Sequence, residues 1–350
     1  MCSLPKSEKK PTLADIARQS EVSAATVSLV LRNKPGVGEE TRKRVLDCAS
    51  ALGYVYSPSN QAHARGLPDQ IGLIIKIRPD DLPATNSFYA PVLAGIETVC
   101  RRNQINLMYA HLLVDESNNP LETPRLMTNQ EVDGLLMVGM HLNEQMVNEI
   151  ERLGTPLVLV DAYADGDPFD SVVTDNFLGA FQATEHLIQQ GHRHIGIVGS
   201  QPNSYPSVQD RRSGYLQALE TNALTPYFAD CALEPRVAGP QVTRLLIQYP
   251  EVTALLACND DVAIAAMRAA QDSGKRVPED LSIVGFDNID LAQHTSPRLT
   301  TMRVDKMEMG RLATLLLMNR IEFPEAGRVR TVICPHIIER ESSSPIKVTQ

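Results

Sequence analysis

The chain has 350 residues, a formal net charge of −9 and 43% hydrophobic residues. This length predicts two or three domains with sizeable cores. No apolar run approaches the roughly 20 residues of a membrane helix, and no apolar stretch follows the basic residues near the start, so neither a membrane span nor secretion is expected. The six cysteines form no CxxC pair, which predicts free thiols in a reducing cytoplasm rather than a disulfide scaffold or a zinc ribbon.

The charge is distributed unevenly along the chain. Residues 1–67 contain ten basic and six acidic residues, a balance of +4, whereas the remainder has a balance of −13. A small basic segment on a large acidic body suggests a nucleic-acid-binding module. A solvated surface explains the same numbers equally well, so charge alone leaves both interpretations open.

Residues 12–54 show the apolar spacing of three short helices, after a polar tail over residues 1–11 that is expected to be disordered. Thr12 and Ser23 are placed to cap the first two helices, and Glu39 opens the third. The turn between the first two helices has the length found in a helix-turn-helix, although any three-helix bundle shares this spacing. Four apolar residues are expected to face inward from the third helix: Val45, Leu46, Ala49 and Leu52.

In a helix-turn-helix the second helix lies in the major groove of DNA. Ala24, Ala25 and Leu29 are then directed at base edges, where alanine can contact a thymine methyl group but cannot specify guanine. Five residues that can bond phosphates follow or interleave with them: Thr26, Ser28, Arg32, Asn33 and Lys34.

The same segment resembles the DNA-binding head of the LacI/GalR family of transcription regulators. The resemblance implies that Thr12 and Ser23 also belong to the DNA-binding surface. Glu21 departs from the family pattern, which usually has glycine in this turn, and costs about 1 kcal/mol if its backbone is left-handed. Leu29 departs as well, because a basic residue is common there. The matching residues are Thr12-Leu13, Asp15-Ile16-Ala17, Val22-Ser23, Thr26-Val27-Ser28, Thr41-Arg42 and Leu52-Gly53-Tyr54.

Residues 55–68 connect this head to the rest of the chain and can be interpreted as a plain linker. Residues 64–67, Ala-Arg-Gly-Leu, resemble the hinge helix of the same family. That resemblance implies that Arg65 and Leu67 contact DNA and that Leu67 wedges into the minor groove, as apolar side chains do when they kink DNA. The adjoining Pro68 disfavours a helix, so the linker interpretation stays open.

Residues 69–341 alternate short apolar runs with amphipathic segments, which predicts parallel sheets with helices on both faces, divided into two units. The predicted fold is therefore a small all-α helix-turn-helix head plus a two-lobed α/β body. The predicted strands are Ile71–Ile77, Ile105–Ala110, Gly134–Val138, Leu157–Val160, Ile195–Val198, Ala254–Ala257 and Leu281–Phe286. The predicted helices include Val92–Arg102, Leu178–Gln190, Arg212–Glu220, Val262–Ser273 and Lys306–Asn319.

The body also resembles the effector-binding part of the LacI/GalR family, which is built like a periplasmic sugar-binding protein. The resemblance implies three crossovers and a ligand cleft between two lobes. Lobe one is expected over about 69–174 plus 302–325, lobe two over about 175–301 plus 326–341, and a tail over 342–350. The matching motifs include Val132-Asp133-Gly134, Asp175-Asn176, Asp210-Arg211, Asn259-Asp260 and Val284-Gly285-Phe286-Asp287.

The resemblance assigns six residues to this cleft. Carboxylate, amide and guanidinium groups offer directional bonds to a hydroxyl-rich ligand, and an aromatic wall covers its apolar side. Most of these polar residues follow the carboxyl ends of predicted strands, where open α/β sheets bind ligands. Structural roles remain the alternative: Asp287 could cap a helix and Arg211 could pair with a carboxylate. The expected effector-binding residues are Phe88, Tyr89, Asp175, Arg211, Asn259 and Asp287.

Together these features predict a cytoplasmic transcription regulator, a repressor whose affinity for operator DNA is controlled by a small, sugar-like molecule. The expected partners are a pseudo-palindromic operator, the effector and a second copy of the chain. No cofactor, metal or membrane contact is expected, because no nucleotide-binding loop, nucleophile motif or metal-ligand spacing is present. The alternative is a solute-binding protein or carbohydrate-handling enzyme whose first helices have no role in DNA binding.

Overall fold

In the computed structural model, the described residues are 13–31, 37–52, 68–77, 86–115, 120–122, 125–128 and 132–346. The chain divides into two compact units, one up to residue 65 and the other from residue 66 onward. The first unit is all-helical and the second is α/β. This division matches the predicted change from a helical head to a sheet-containing body.

Three helices make up the described part of the head: α1 (Leu13–Ser20), α2 (Ala24–Leu31) and α3 (Glu39–Ala51). Helix α2 begins after Ser23, whose Oγ accepts a hydrogen bond from the backbone amide of Thr26 at 3.0 Å, as predicted for a cap. Five buried apolar residues from all three helices form the core: Ile16, Val27, Val30, Val45 and Ala49.

The turn between α1 and α2 contains Glu21 in the left-handed region, with φ 54°. The departure from glycine noted in the sequence therefore falls at a position where a side chain is strained. The prediction for Leu46 is wrong: its side chain is 46% exposed, because α3 directs Val45 and Ala49, and in part Cys48 and Leu52, toward the other helices.

The body contains two large sheets with helices on both faces, which confirms the predicted fold class. The strands, in chain order, are β1 (Gln70–Ile77), β2 (Asn106–Leu113), β3 (Gly134–Val138), β4 (His141–Leu142), β5 (Leu157–Val160), β6 (Tyr163–Ala164), β7 (Asp170–Thr174), β8 (Ile195–Val198), β9 (Tyr227–Ala229), β10 (Ala254–Ala257), β11 (Ser282–Asp287), β12 (Thr300–Arg303), β13 (Arg330–Ile333) and β14 (His336–Ile338). The helices are α4 (Tyr89–Asn103), α5 (Arg125–Thr128), α6 (Glu144–Leu153), α7 (Asn176–Gln189), α8 (Pro206–Thr221), α9 (Pro235–Gln248), α10 (Asp260–Asp272) and α11 (Lys306–Glu322).

Lobe one is built on a parallel sheet with the order β13-β7-β5-β3-β1-β2. Its central strands are apolar on both faces because helices cover both sides. Helices α4 and α11 pack closely on one face: a Cβ atom at Gly95 would lie 2.0 Å from the carbonyl oxygen of Met307, so only glycine permits this approach. The short strands β4 and β6 pair with each other beside this sheet.

Lobe two is built on a sheet with the order β14-β12-β11-β10-β8-β9. Only β14 runs antiparallel to its neighbour. Helices α7 and α8 share one apolar core with this sheet, and α9 and α10 share a second. The carboxyl ends of β8, β10 and β11 therefore meet at one edge of lobe two.

Three chain segments connect the lobes: one after β7, one between β12 and α11, and one between β13 and β14. Two of the expected lobe boundaries need correction. Residues 330–333 form β13 in the sheet of lobe one, and residues 302–303 end β12 in lobe two. The expected tail is also partly wrong, because Ser342 is buried and its Oγ accepts a hydrogen bond from the amide of Thr300 at 2.8 Å. Within the described ranges, no helix has the length and apolarity needed to cross a membrane.

Candidate functional site

The strongest concentration of buried charge lies where the carboxyl ends of both sheets face each other. On lobe two, the side chain of Arg211 projects from α8 and is only 5% exposed. Its Nε donates to Oδ1 of Asn176 at 2.8 Å, and its Nη2 donates to Oδ1 of Asp287 at 3.3 Å. The guanidinium also donates to the carbonyl of Cys258 and lies 3.9 Å above the ring of Phe286. We call Arg211, Asn176, Cys258 and Asp287 the arginine cluster.

The arginine cluster holds a charge pair in a place from which water is largely excluded. Burial raises the pKa of Asp287 to about 6, against the opposing effect of the positive charges of Arg211 and Lys306. The buried Lys306 ammonium donates to the backbone carbonyls of Asp287 and Asn288, which both have positive φ. The turn at the end of β11 is therefore held by the Lys306 ammonium through its backbone and by Arg211 through the Asp287 side chain.

Asp260 supports the same turn from behind. Its carboxylate accepts hydrogen bonds from the amide of Ile289 at 2.8 Å and from Oγ1 of Thr301 at 2.5 Å. Burial, helped by the negative charge of Asp287, raises the pKa of Asp260 to about 8. Asp260 therefore holds this turn from within lobe two, and Lys306 holds it from the lobe-one helix α11.

On lobe one, Tyr89 at the start of α4 donates from its hydroxyl to Oδ2 of Asp161 at 3.1 Å. Burial raises the pKa of Asp161, and the positive charges of Lys76 and Arg211 oppose this shift. The Lys76 ammonium lies over the ring of Tyr89 at 5.7 Å and over the ring of Tyr205 at 5.2 Å. We call Lys76, Tyr89, Asp161, Tyr163 and Tyr205 the tyrosine cluster.

Tyr205 belongs to lobe two by sequence but bonds to lobe one. It lies just before α8, and its hydroxyl donates to the carbonyls of Met140 at 2.9 Å and Asp161 at 3.2 Å. Its ring meets that of Tyr163 edge to face, with centroids 5.3 Å apart. Tyr205 therefore connects the two walls of the cleft.

Four of the six expected cleft residues form two pairs: Phe88 and Tyr89 make a perpendicular aromatic pair 5.1 Å apart, and Arg211 bonds Asp287. Their contact with an effector stays a prediction. Lys306 links the two pairs, because its ammonium lies 5.7 Å from the centroid of the Phe88 ring and donates to the carbonyl of Asp287. The structure shows the alternative suggested for Arg211, since its guanidinium pairs with the carboxylate of Asp287. This pairing does not prevent Arg211 from contacting a ligand.

Asp175 and Asn259 have a structural task. Oδ1 of Asp175 accepts from the amide of Leu178 at 2.9 Å, and Oδ1 of Asn259 accepts from the amide of Val262 at 2.9 Å, so these residues cap α7 and α10. The capping alternative raised for Asp287 is wrong, because the turn after β11 is held by Asp260 instead.

Sequence reasoning missed Lys76, Asp161, Tyr163, Asn176 and Tyr205. Asp161 follows β5 directly, so the rule that selected Asp175 could have found it. Lys76 ends a strand too, but an isolated lysine gives no signal of its own. Tyr205 and Tyr163 are brought in by the loop before α8 and by the short strand β6, which no periodicity predicts.

The expected DNA-binding residues are only partly within reach of the structure. Ser23 is exposed and caps α2, and Thr26 and Leu29 are partly buried in the head. The structure describes the backbone of Ala24, Ala25 and Ser28 but not their side chains. Outside the described residues altogether are Thr12, Arg32, Asn33, Lys34, Arg65 and Leu67.

Comparison with known proteins decides the family. Residues 12–57 match the bacterial regulatory proteins of the lacI family, and residues 184–343 match a periplasmic binding protein-like domain. The ribose operon repressor of Haemophilus influenzae is 35% identical over 344 residues, which cover 96% of this chain and 99% of that protein. The chain belongs to the lacI family.

Solved structures of lacI-type regulators have a fold similar to that of this chain. A complex of the transcriptional regulator CelR with cellobiose is 27% identical, covers 95% of this chain and 99% of its own, and has a TM-score of 0.69. A lacI-family regulator from Enterococcus faecium with bound ribose is 27% identical, covers 79% of this chain and all of its own, and has a TM-score of 0.67. The predicted family, the two-part fold and the role as a DNA-binding transcription regulator are thereby confirmed.

Proposed function

We propose that this lacI-family regulator is a repressor whose grip on operator DNA is controlled by a sugar or related metabolite bound between the two lobes. The observation that carries the proposal is the meeting of the arginine cluster and the tyrosine cluster across one cleft, in a chain that also has a helix-turn-helix head. Buried, oriented polar groups between two lobes are the usual features of a small-molecule site.

The chemistry of the walls favours a ligand rich in hydroxyl groups. Asp161 and Asp287 can accept hydrogen bonds, and Arg211 and Asn176 can donate them, while Phe88 offers an apolar surface. The name of the ribose operon repressor and the ribose bound to a related regulator support a monosaccharide of this kind. Cellobiose, found with CelR, represents a larger member of the same class.

The DNA-binding surface is proposed to include Ser23, Thr26 and Leu29 of the described head. To these we add the residues assigned by sequence: Thr12, Ala24, Ala25, Ser28, Arg32, Asn33, Lys34, Arg65 and Leu67. A homodimer bound to a pseudo-palindromic operator follows from the way helix-turn-helix proteins match two half-sites. The protein would act in the cytoplasm, where the DNA is, and would regulate without being an enzyme.

If the ligand changes the affinity for DNA, DNA must change the affinity for the ligand by the same factor, because the two binding equilibria form a closed thermodynamic cycle. The test is a titration of labelled DNA from upstream of the gene at several salt concentrations, with and without D-ribose. We expect the logarithm of affinity to fall linearly with the logarithm of salt concentration and ribose to shift the curve. DNA binding that does not depend on salt would contradict the proposal. So would a DNA-binding curve that neither ribose nor any sugar of a broader panel shifts.

A further inference from the structure

Tyr163 occupies an unusual position among the tyrosines of the cleft. It lies in the short strand β6 of lobe one, and its ring meets the ring of Tyr205 edge to face at 5.3 Å and 86°. Strand β6 pairs with β4, which holds the backbone of Tyr163 in place. The direction of the side chain is therefore fixed by both backbone pairing and ring packing.

The Tyr163 hydroxyl is buried, and in the described part of the chain it has no hydrogen-bond partner. The charged groups that act on it come from both lobes: Asp161 and Arg330 from lobe one, Asp210 and Arg211 from lobe two. The Tyr163 ring packs on Tyr205, whose hydroxyl bonds Met140 and Asp161, so Tyr163 lies at the junction of the two lobes. Burial raises the pKa of Tyr163, so the group stays neutral and can both donate and accept.

The other buried tyrosine hydroxyls here are satisfied. That of Tyr89 donates to Asp161, that of Tyr205 donates to two carbonyls, and that of Tyr215 donates to the carbonyl of Ile195 at 2.8 Å. A buried polar group without a partner costs stability, and native structures contain few of them. Such a group in a ligand cleft is explained if the ligand supplies the missing bond.

We propose that Tyr163 is an effector-binding residue whose hydroxyl bonds an uncharged oxygen, a hydroxyl or a ring or carbonyl oxygen, of the effector. The inference rests on the proposed function, since it requires an effector in this cleft. It adds a contact from lobe one that the family resemblance did not assign. It also favours a ligand that presents oxygen atoms to both lobes.

The test is Tyr163→Phe, which removes the hydroxyl alone and keeps the ring on Tyr205. Without sugar, we expect the melting temperature of the variant to equal that of the wild type or to exceed it by about 1–3 °C, because an unpaired buried group is removed. With D-ribose in isothermal titration calorimetry, we expect affinity to fall about 3- to 10-fold.

Tyr205→Phe is the matched control, because its hydroxyl has partners within the protein. It should lower the melting temperature without sugar, opposite in sign to Tyr163→Phe. A lower melting temperature for Tyr163→Phe would show that its hydroxyl already has a structural partner and would overturn the proposal, as would unchanged ribose affinity. If the wild type binds neither ribose nor cellobiose, the proposed sugar ligand fails, and the melting comparison still decides whether the hydroxyl is unpaired.

Discussion

The two walls of the cleft are built differently. In the wall on lobe two, the side chain of Arg211 bonds Asn176, Cys258 and Asp287 of its own lobe. Lobe one adds Lys306 of α11, which bonds the backbone carbonyls of Asp287 and Asn288. The wall on lobe one is completed by Tyr205, which reaches it from lobe two. The bonds of Arg211 in the first wall are therefore preorganised, whereas the second wall depends on how closely the lobes approach. A ligand that draws the lobes together changes the second wall more than the first.

The largest expected effect comes from breaking the preorganised wall with Arg211→Ala. The substitution removes the ion-pair partner of the buried Asp287 and leaves only Lys306 as a nearby positive charge, so the free energy of unfolding should fall by about 2–4 kcal/mol. Ribose binding should weaken by about 100-fold or more, since the same group is proposed to contact the ligand. Urea denaturation and calorimetry measure the two effects.

Two further variants make the Arg211 result specific. Arg276→Ala removes an exposed arginine that pairs with Asp280 outside the cleft and should change neither quantity measurably. Arg211→Met combined with Asp287→Asn should recover much of the stability but not the ligand affinity. Normal ribose binding by Arg211→Ala would show that this wall does not contact the ligand.

The second effect concerns the pH dependence of stability that Asp260, which holds the turn after β11, produces. The pKa of Asp260 is about 8 in the folded protein and near 3.8 in the unfolded chain. The folded state therefore holds an extra proton between these values, and this carboxyl makes stability fall as pH rises from about 4 to about 8. Asp260→Asn should remove this slope, which is at most roughly 1.4 kcal/mol per pH unit for one proton.

Urea denaturation of wild type and Asp260→Asn at pH 5, 6, 7 and 8 measures this difference. The relative stability of the variant should improve steadily with pH, even if it is lower overall through the lost bond to Ile289. Titration of groups that are not coupled to Asp260, including the buried His192, is common to both proteins and cancels. Asp287 is coupled to Asp260 and has a pKa of about 6, so its titration contributes to the difference. Parallel stability curves would mean that Asp260 keeps its ordinary charge in the fold.

The third effect addresses the wall that depends on closure. Tyr205→Phe removes the hydroxyl that bonds Met140 and Asp161 but leaves the ring, so it should cost about 1 kcal/mol of lobe closure. Small-angle X-ray scattering should show a larger radius of gyration for the variant than for the wild type. Tyr249→Phe is the control, because its hydroxyl bonds Gln248 within lobe two. Equal scattering from Tyr205→Phe and the wild type would remove Tyr205 from the account of closure.

The smallest expected effect comes from a substitution in the head, which changes neither wall of the cleft. Ser23→Ala removes the acceptor for the amide of Thr26 and should destabilise α2 by about 1 kcal/mol. DNA affinity should fall, measured by fluorescence anisotropy, while ribose affinity stays the same. The exposed Ser50 in α3 provides a comparison, since Ser50→Ala should not weaken DNA binding. A change in sugar affinity with Ser23→Ala would contradict this separation.

Strands that are apolar throughout could be predicted from sequence to the residue, as the agreement at Gly134–Val138, Leu157–Val160, Ile195–Val198 and Ala254–Ala257 shows. Strands β7 and β12 were missed because their buried positions include Asp170 and Thr300, whose polar atoms are paired by distant residues. Such pairing depends on tertiary contacts, which local periodicity does not contain. The expectation that residues 330–333 belong to lobe two is wrong because β13 pairs with β7 of lobe one, a long-range contact.

The residues of the candidate site also differ in whether local sequence or tertiary contacts determine their position. The motif residues Arg211 and Asp287 could be predicted, because the family resemblance fixes them at strand and helix ends. The family resemblance places Asp175 and Asn259 in the cleft, and the structure shows that both cap helices. The rule about strand ends does not separate these two roles, so their contact with a ligand stays a prediction. The three tyrosines meet only because β6, α4 and the loop before α8 converge in space, and no spacing along the chain records that.

Strand β1 has a mechanical consequence. Its eight residues span roughly 25 Å, with Lys76 of the tyrosine cluster near one end and Gln70, next to the segment leading to the DNA-binding unit, at the other. Five of these residues are buried, and the strand is paired on both sides, so it cannot bend or slip locally. If the proposed ligand displaces Lys76, this paired strand would carry the displacement to Gln70, where the linker starts.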